Sequence, residues 1–124
     1  MLKADLHCHS TCSDGTVSPQ HLVTLAKERG LFYLSITDHD SIASYPLALP
    51  QALSLGVTLL PGVEFSTSYQ GKSVHVLAYA FPPENRPLQK LCDWHRERRI
   101  RRVQEILRHL RAQGIEVKES DLNQ

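Results

Sequence analysis

Three β-prone stretches begin near residues 2, 31 and 57, a repeat of about 26 to 29 residues, which is the length of one β–α unit. Strand alternating with helix restricts the chain to a parallel sheet or barrel. The first strand is "MLKADLH" (1–7). After it, Ser18 suits a helix N-cap, Pro19 the first turn and Gly30 the stop, with Leu22, Leu25 and Ala26 repeating on a buried side. The second strand, "LFYLSIT" (31–37), runs into Asp38-His39-Asp40. Pro46 and Pro50 interrupt the next segment, so it is expected to be helical only in pieces, best over 50–55. The third strand is expected to be "VTLLPGVEFS" (57–66).

The pattern then changes. "VEFSTSYQGKSVHVLAYAF" predicts a hairpin turning at Gln70-Gly71, and 88–114 predicts one long helix closed by Gly114. The tail "IEVKESDLNQ" carries no stop signal, and three parallel strands leave open edges that proteins normally cover. The expectation is the front part of a larger fold: barrel residues in 1–85, and the start of a helical insertion in 86–124.

A chain of 124 residues suits one domain with a modest core. A net charge of +1 excludes a chain that is basic or acidic throughout. No apolar run is long enough for a membrane span, and no secretory leader is evident. Three cysteines without an export signal predict reduced thiols and a cytoplasmic setting.

"DLHCHSTCSDG" (5–15) carries the densest chemistry. Strand alternation puts Asp5, His7 and His9 on one face, with Leu6 and Cys8 on the other. A zinc site using Cys8 and Cys12 together with the histidines would have to bend the strand, so the thiols are better read as packing residues. The His7/His9 pair is a bidentate platform for a divalent metal, or else two strand-end histidines bonded to their neighbours. Asp14, His39 and Glu64 follow at the carboxyl ends of the three strands, where parallel α/β folds bind ligands. His75, in the hairpin's return strand, is either a satisfied core residue or a further ligand. The candidate shell is therefore His7, His9, Asp14, His39, Glu64 and His75. It exceeds what one tetrahedral zinc needs and suits two or three metals bridged by Glu64. Such a cluster can hold a hydroxide nucleophile and neutralise a phosphoryl group, which points to phosphate-ester hydrolysis.

On the long helix, Leu88, Leu91, Cys92, His95, Val103, Ile106 and Leu110 form one stripe with Arg99 in its middle. An inward guanidinium needs an anion, either an internal carboxylate or a substrate phosphate. Arg96 and Arg102 flank the stripe, Arg98, Arg101, Arg108 and Arg111 read as a solvated face, and nonspecific nucleic-acid binding is the weaker reading, since Trp94 is the one aromatic among them.

"DLHCHSTCSDGT", "ITDHDS", "PGVEFST" and "VHVLAY" together resemble successive motifs of the PHP (polymerase and histidinol phosphatase) superfamily. The resemblance is nearest to its stand-alone metal-dependent phosphoesterases and extends into "RERRIRRVQEILRHLRAQGI", which is similar to that branch's helical insertion. It implies an α/β fold, the N-terminal portion of a distorted (β/α)7 barrel. It also implies a site for two or three divalent ions of the Mn, Mg, Zn or Fe type. His7 and His9 would hold one ion and share Glu64 with a second held by His75, while Asp14 and His39 would hold a third. Arg99 would meet the substrate phosphate, and the substrates implied are phosphorylated small molecules, nucleotides or short RNA.

Members of that family are longer, and their later strands supply further histidine and D-x-H ligands that are not found in this sequence. Pro46 and Pro50 also fall where the family has an uninterrupted helix. Two expectations follow: a phosphoesterase whose activity needs the remaining ligands, with slight metal uptake and little turnover by this chain alone, or a non-catalytic metal-binding or interaction remnant that self-associates through its open sheet edges. A module serving a polymerase fits the motif spacing less well.

Overall fold

The computed structural model of the protein describes residues 3–117. Met1 and Leu2 of the expected first strand, and residues 118–124 of the tail, lie outside the described residues. The elements run β1 (Ala4–Cys8), α1 (Pro19–Glu28), β2 (Tyr33–Ile36), α2 (Ser44–Leu55), β3 (Thr58–Leu59), β4 (Gly62–Tyr69), β5 (Lys72–Tyr79) and α3 (Arg86–Ala112). β1, β2 and β3 form a parallel sheet in that order, and β4 and β5 form an antiparallel pair. The α/β character read from the repeat is present, and β1 and β3 are the outer strands of the parallel sheet.

Ser18 caps α1, its hydroxyl accepting from the His21 amide at 3.3 Å. The helix buries Val23 (0% exposed) and Ala26 most deeply, with Leu22 and Leu25 only half-buried. The buried line is therefore turned slightly from the one expected, because α1 is wedged between the sheet and α2. Val23 and Ala26 join Leu34 and Ile36 of β2 and Ala48 and Ala52 of α2 in the main core.

The segment expected to be helical in pieces is one helix of 12 residues. Pro46 falls in its first turn, where no amide donor is needed. Pro50 removes the bond to the Pro46 carbonyl, but both prolines are exposed, so water can satisfy that oxygen. Ala48 and Ala52, on the opposite side, are fully buried, and this packing carries the helix on through Pro50. Gly56 ends it in the left-handed region, φ 67°.

The expected third strand is divided at Pro61. Thr58–Leu59 pairs with β2, and the Leu60 amide donates to the Leu34 carbonyl at 2.8 Å. Pro61 has no amide to continue the ladder. The chain resumes alongside the end of the second strand, where the Glu64 amide donates to the Asp38 carbonyl (3.2 Å) and the Asp40 amide to the Glu64 carbonyl (2.9 Å). Glu64 therefore belongs to β4 and sits beside His39 in a parallel bridge. Gly62 is required here: a Cβ would run into Ser35 Oγ and Thr37 Cγ2.

β4 turns into β5 through Gln70 (φ 49°) and Gly71 (φ 75°), the positive-φ pair of a type I′ hairpin. α3, capped by Asn85, packs Cys92 and Leu88 against Val63 and Phe65 of the hairpin. Beyond Arg99 the expected stripe is not covered: Val103 and Ile106 are 40% and 47% exposed. Asp40 ties this helix down. Its backbone is left-handed (φ 52°), and its side chain accepts from the Ser66 amide (2.9 Å) and the Arg99 guanidinium (2.6 Å).

Two outcomes are predicted. Gly62→Ala is expected to cost about 1–3 kcal/mol through overpacking against β2, seen as a lower urea midpoint at unchanged slope. Burial alone would raise the Asp40 pKa, but the Ser66 and Arg99 bonds overcome it and hold the carboxyl below its ordinary value. A depressed folded pKa stabilises above the unfolded value and the benefit is lost as pH falls through the folded one. The stability gap between wild type and Asp40→Asn is therefore expected to be constant near neutrality and to shrink below about pH 4.

Candidate metal centre

The candidate ligands come from five places that the fold brings to one end of the parallel sheet. His7 lies on β1 and His9 just past it. Asp14 lies in the loop that follows, His39 just past β2, Glu64 on β4 and His75 on β5. Strand alternation puts Glu64 and His75 on the same face of the hairpin, where His75 pairs with Ser66.

The loop holding Asp14 is shaped by Asp38, which is fully buried. Its carboxylate accepts from the Ser10 amide and hydroxyl, both at 2.7 Å, and from the Ser13 hydroxyl at 2.6 Å. Gly15 closes the loop with its amide on the Ser10 carbonyl at 2.9 Å, and a Cβ there would collide with the His9 carbonyl. "DHD" thus divides its work. Asp38 fixes the first loop, His39 faces the centre, and Asp40 fixes α3.

Glu64 stands in the middle, 4% exposed. Its Oε2 lies 3.0 Å from His7 Nε2, 3.0 Å from His9 Nε2 and 3.8 Å from His39 Nε2, while Oε1 lies 2.7 Å from His75 Nδ1. The rings follow one another around it, His7 to His9 at 5.4 Å, His9 to His39 at 4.6 Å and His39 to His75 at 4.9 Å. Asp14 approaches His9 Nδ1 at 3.1 Å and His39 Nε2 at 3.7 Å. Three overlapping groups of potential ligand atoms result: His7, His9 and Glu64; His9, Asp14 and His39; His39, Glu64 and His75.

Hydrogen bonding does not account for this arrangement. Glu64 has aligned hydrogen bonds with His7 and His75, but its close approach to His9 has no such alignment. The buried Nδ1 atoms of His9 and His39 have no hydrogen-bond partner among the described residues. Ring nitrogens and carboxylate oxygens that converge without pairing fit divalent cations held between them. Both carboxylates are poised as anions. Burial raises the Glu64 pKa, but the bonds to His7 and His75 and the nearby imidazoles bring it below its ordinary value. Burial likewise pulls the Asp14 pKa up, and its bond from Ser13 and its proximity to His39 and His9 outweigh it.

The cysteines stay out of the centre, as strand alternation required. Cys8 points to the Ser35 carbonyl at 3.5 Å, and burial, with Asp5 and Asp38 nearby, pushes its thiol up to about 12. No cysteine belongs to any of the three groups among the described residues.

Arg99 finds the internal carboxylate that the sequence left open, Asp40, with Ser66 Oγ at 3.4 Å. It also lines a cavity of about 570 Å³ that reaches His39, beside Arg96, Cys12 and Ser13. The roles of Ser10, Asp38, Asp40 and His95 are not evident from the sequence. The two aspartates flanking His39 were a signal, since in an extended chain both turn away from the face His39 uses. His95, 3.5 Å from Asp40 and stacked near Phe65, carried no local sign.

The PHP domain pattern matches residues 5–117. A 5′-3′ exoribonuclease of Haemophilus influenzae is 38% identical over 113 residues, covering 91% of this chain and 41% of that protein. A 3′,5′-nucleoside bisphosphate phosphatase of Chromobacterium violaceum is 33% identical over 115 residues, covering 93% of this chain and 40% of that one. Among solved structures, a proposed metal-dependent phosphoesterase from Bifidobacterium adolescentis superposes with a TM-score of 0.85 at 32% identity, over 97% of this chain and 42% of that chain. The chain thus spans about two fifths of the length of the relatives it matches. Its matched span, its motifs and its fold place it in the PHP domain family.

Proposed function

We propose that this chain supplies the front half of a metal-dependent phosphoesterase site acting on phosphomonoesters of nucleotides or short RNA. The observation that carries the reading is Glu64, buried between four imidazoles with Oε2 toward His7, His9 and His39 and Oε1 toward His75. A carboxylate that offers its two oxygens to two different groups of histidines is suited to bridge two divalent ions of the Mn, Mg, Zn or Fe type. His7 and His9 would hold one ion, His75 a second, and Asp14 with His39 a third. Such ions polarise a phosphoryl oxygen and make water a competent nucleophile near neutral pH. The Chromobacterium relative, a nucleoside bisphosphate phosphatase, supports a nucleotide phosphomonoester, and the Haemophilus exoribonuclease supports RNA, whose links are phosphodiesters.

The protein's own residues orient the ester. Arg99 spends one nitrogen on Asp40, which leaves the rest of its donor fork for a phosphate in the cavity at His39. Asp38 keeps Asp14 within reach of His9 and His39 by pinning Ser10 and Ser13. On this reading the barrel portion runs through residue 85 and a helical insertion begins at residue 86 with α3. Three free thiols fit a cytoplasmic setting, and the outer strands β1 and β3 give self-association a route. No helix among the described residues is long and apolar enough to cross a membrane. The alternative is a non-catalytic metal-binding or interaction module.

The test is elemental analysis of purified protein together with a phosphomonoester assay in added manganese. The expected result is weak manganese uptake and slow hydrolysis that needs the metal and disappears in His39→Ala. Metal-free, inactive protein contradicts the proposal, and metal-loaded protein without turnover favours the alternative.

A further inference from the structure

The cavity at His39 does not end at the arginines. A second cavity, of about 350 Å³, adjoins it and shares Ile42, Ala43 and Gln89 with it. The two ends differ in chemistry. The first holds Arg96 and Arg99 beside the metal-ligand cluster. The second is walled by Tyr45, Phe81, Pro46 and Pro61, contains no cation and has Glu84 on its wall.

We infer that the second cavity is the leaving-group subsite and takes the uncharged heterocyclic base of a nucleotide whose phosphate sits at the first. The inference rests on the phosphoesterase reading and deepens it. Continuity gives the direction, since a group attached to a phosphate at His39 and Arg99 passes Ala43 and Gln89 into the apolar end. Charge decides the occupant. A second phosphate would meet Glu84 with no compensating cation, whereas a base meets aromatic rings and prolines and can donate an amino group to the carboxylate. Size agrees, because pockets for small ligands start at roughly 300 Å³. Tyr45 and Phe81 are each anchored by packing on a different core, so they form a fixed wall. Gln89 donates from Nε2 to the Pro83 carbonyl at 3.3 Å, which holds its amide at the junction of the two cavities.

The test needs neither metal nor turnover. The protein is titrated with adenosine and, separately, with inorganic phosphate, and the backbone amide resonances are followed by NMR. Adenosine is expected to shift Ala43, Tyr45, Phe81 and Gln89 saturably, while phosphate shifts the Arg96–Arg99 turn and leaves Tyr45 and Phe81 unmoved. Glu84→Trp, at an exposed residue that lines the second cavity and not the first, is expected to weaken adenosine about tenfold or more, the scale of a lost base-stacking contact, with phosphate shifts retained. Pro46→Trp, on the exposed face of α2 and lining the second cavity alone, should do the same and guards against misfolding of the first variant. Saturable adenosine shifts in a protein that hydrolyses nothing support the subsite while sinking the hydrolase. Absence of adenosine shifts at these four amides, or equal weakening of phosphate by both variants, overturns the subsite.

Discussion

Holding a carboxylate as an anion at 4% exposure costs several kcal/mol unless partners replace the lost water, and the Glu64 environment is built around that requirement. Four imidazoles from three different segments converge on it. Two of them hydrogen-bond to it and two lie close without doing so, while the buried Nδ1 atoms of His9 and His39 make no hydrogen bond among the described residues. A purely structural charge cluster would have turned those rings to pair. The arrangement instead resembles a coordination shell, in which nitrogen lone pairs and carboxylate oxygens face a common interior.

The scaffold's departures from regularity serve this convergence. Pro61 breaks the third strand so that β4 can leave the parallel sheet and run beside Asp38–Asp40, which brings Glu64 next to His39. Gly62 allows the close approach to Ser35 and Thr37 that this crossing needs. The hairpin then returns His75 to Glu64, and the Tyr79 hydroxyl, donating to the Leu6 carbonyl at 2.8 Å, ties the return strand to β1. Asp38 and Asp40 flank His39 and bond outward to the Ser10–Ser13 loop and to Arg99. One tripeptide therefore couples the Ser10–Ser13 loop, the His39 imidazole beside Glu64 and the helix that lines the cavity at His39.

Much of this was legible in the residues before any coordinates. Period-two alternation separated Cys8 from His7 and His9, and the positions of Asp14 and His39 after the first two strands marked one end of the sheet, whereas Glu64, expected to end the third strand, lies within β4. These signals are local, and local geometry carried them. What escaped was decided by packing at a distance. Pro46 and Pro50 looked like breaks because sequence shows their missing donors but not that both face water while Ala48 and Ala52 are buried. The division at Pro61 looked like one strand because nothing in "VTLLPGVEFS" reveals that its halves join different sheets. Arg99 was readable as an inward cation, but its partner Asp40 lies far away in sequence.

The central claim is that Glu64 organises more than one metal ion, and anomalous diffraction from crystals of the protein grown with manganese tests it most directly. The account predicts at least two manganese peaks sharing Glu64, one ligated by His7 and His9 and the other by His75, both lost in Glu64→Ala. A single peak, or peaks that leave Glu64 without a metal, would contradict it.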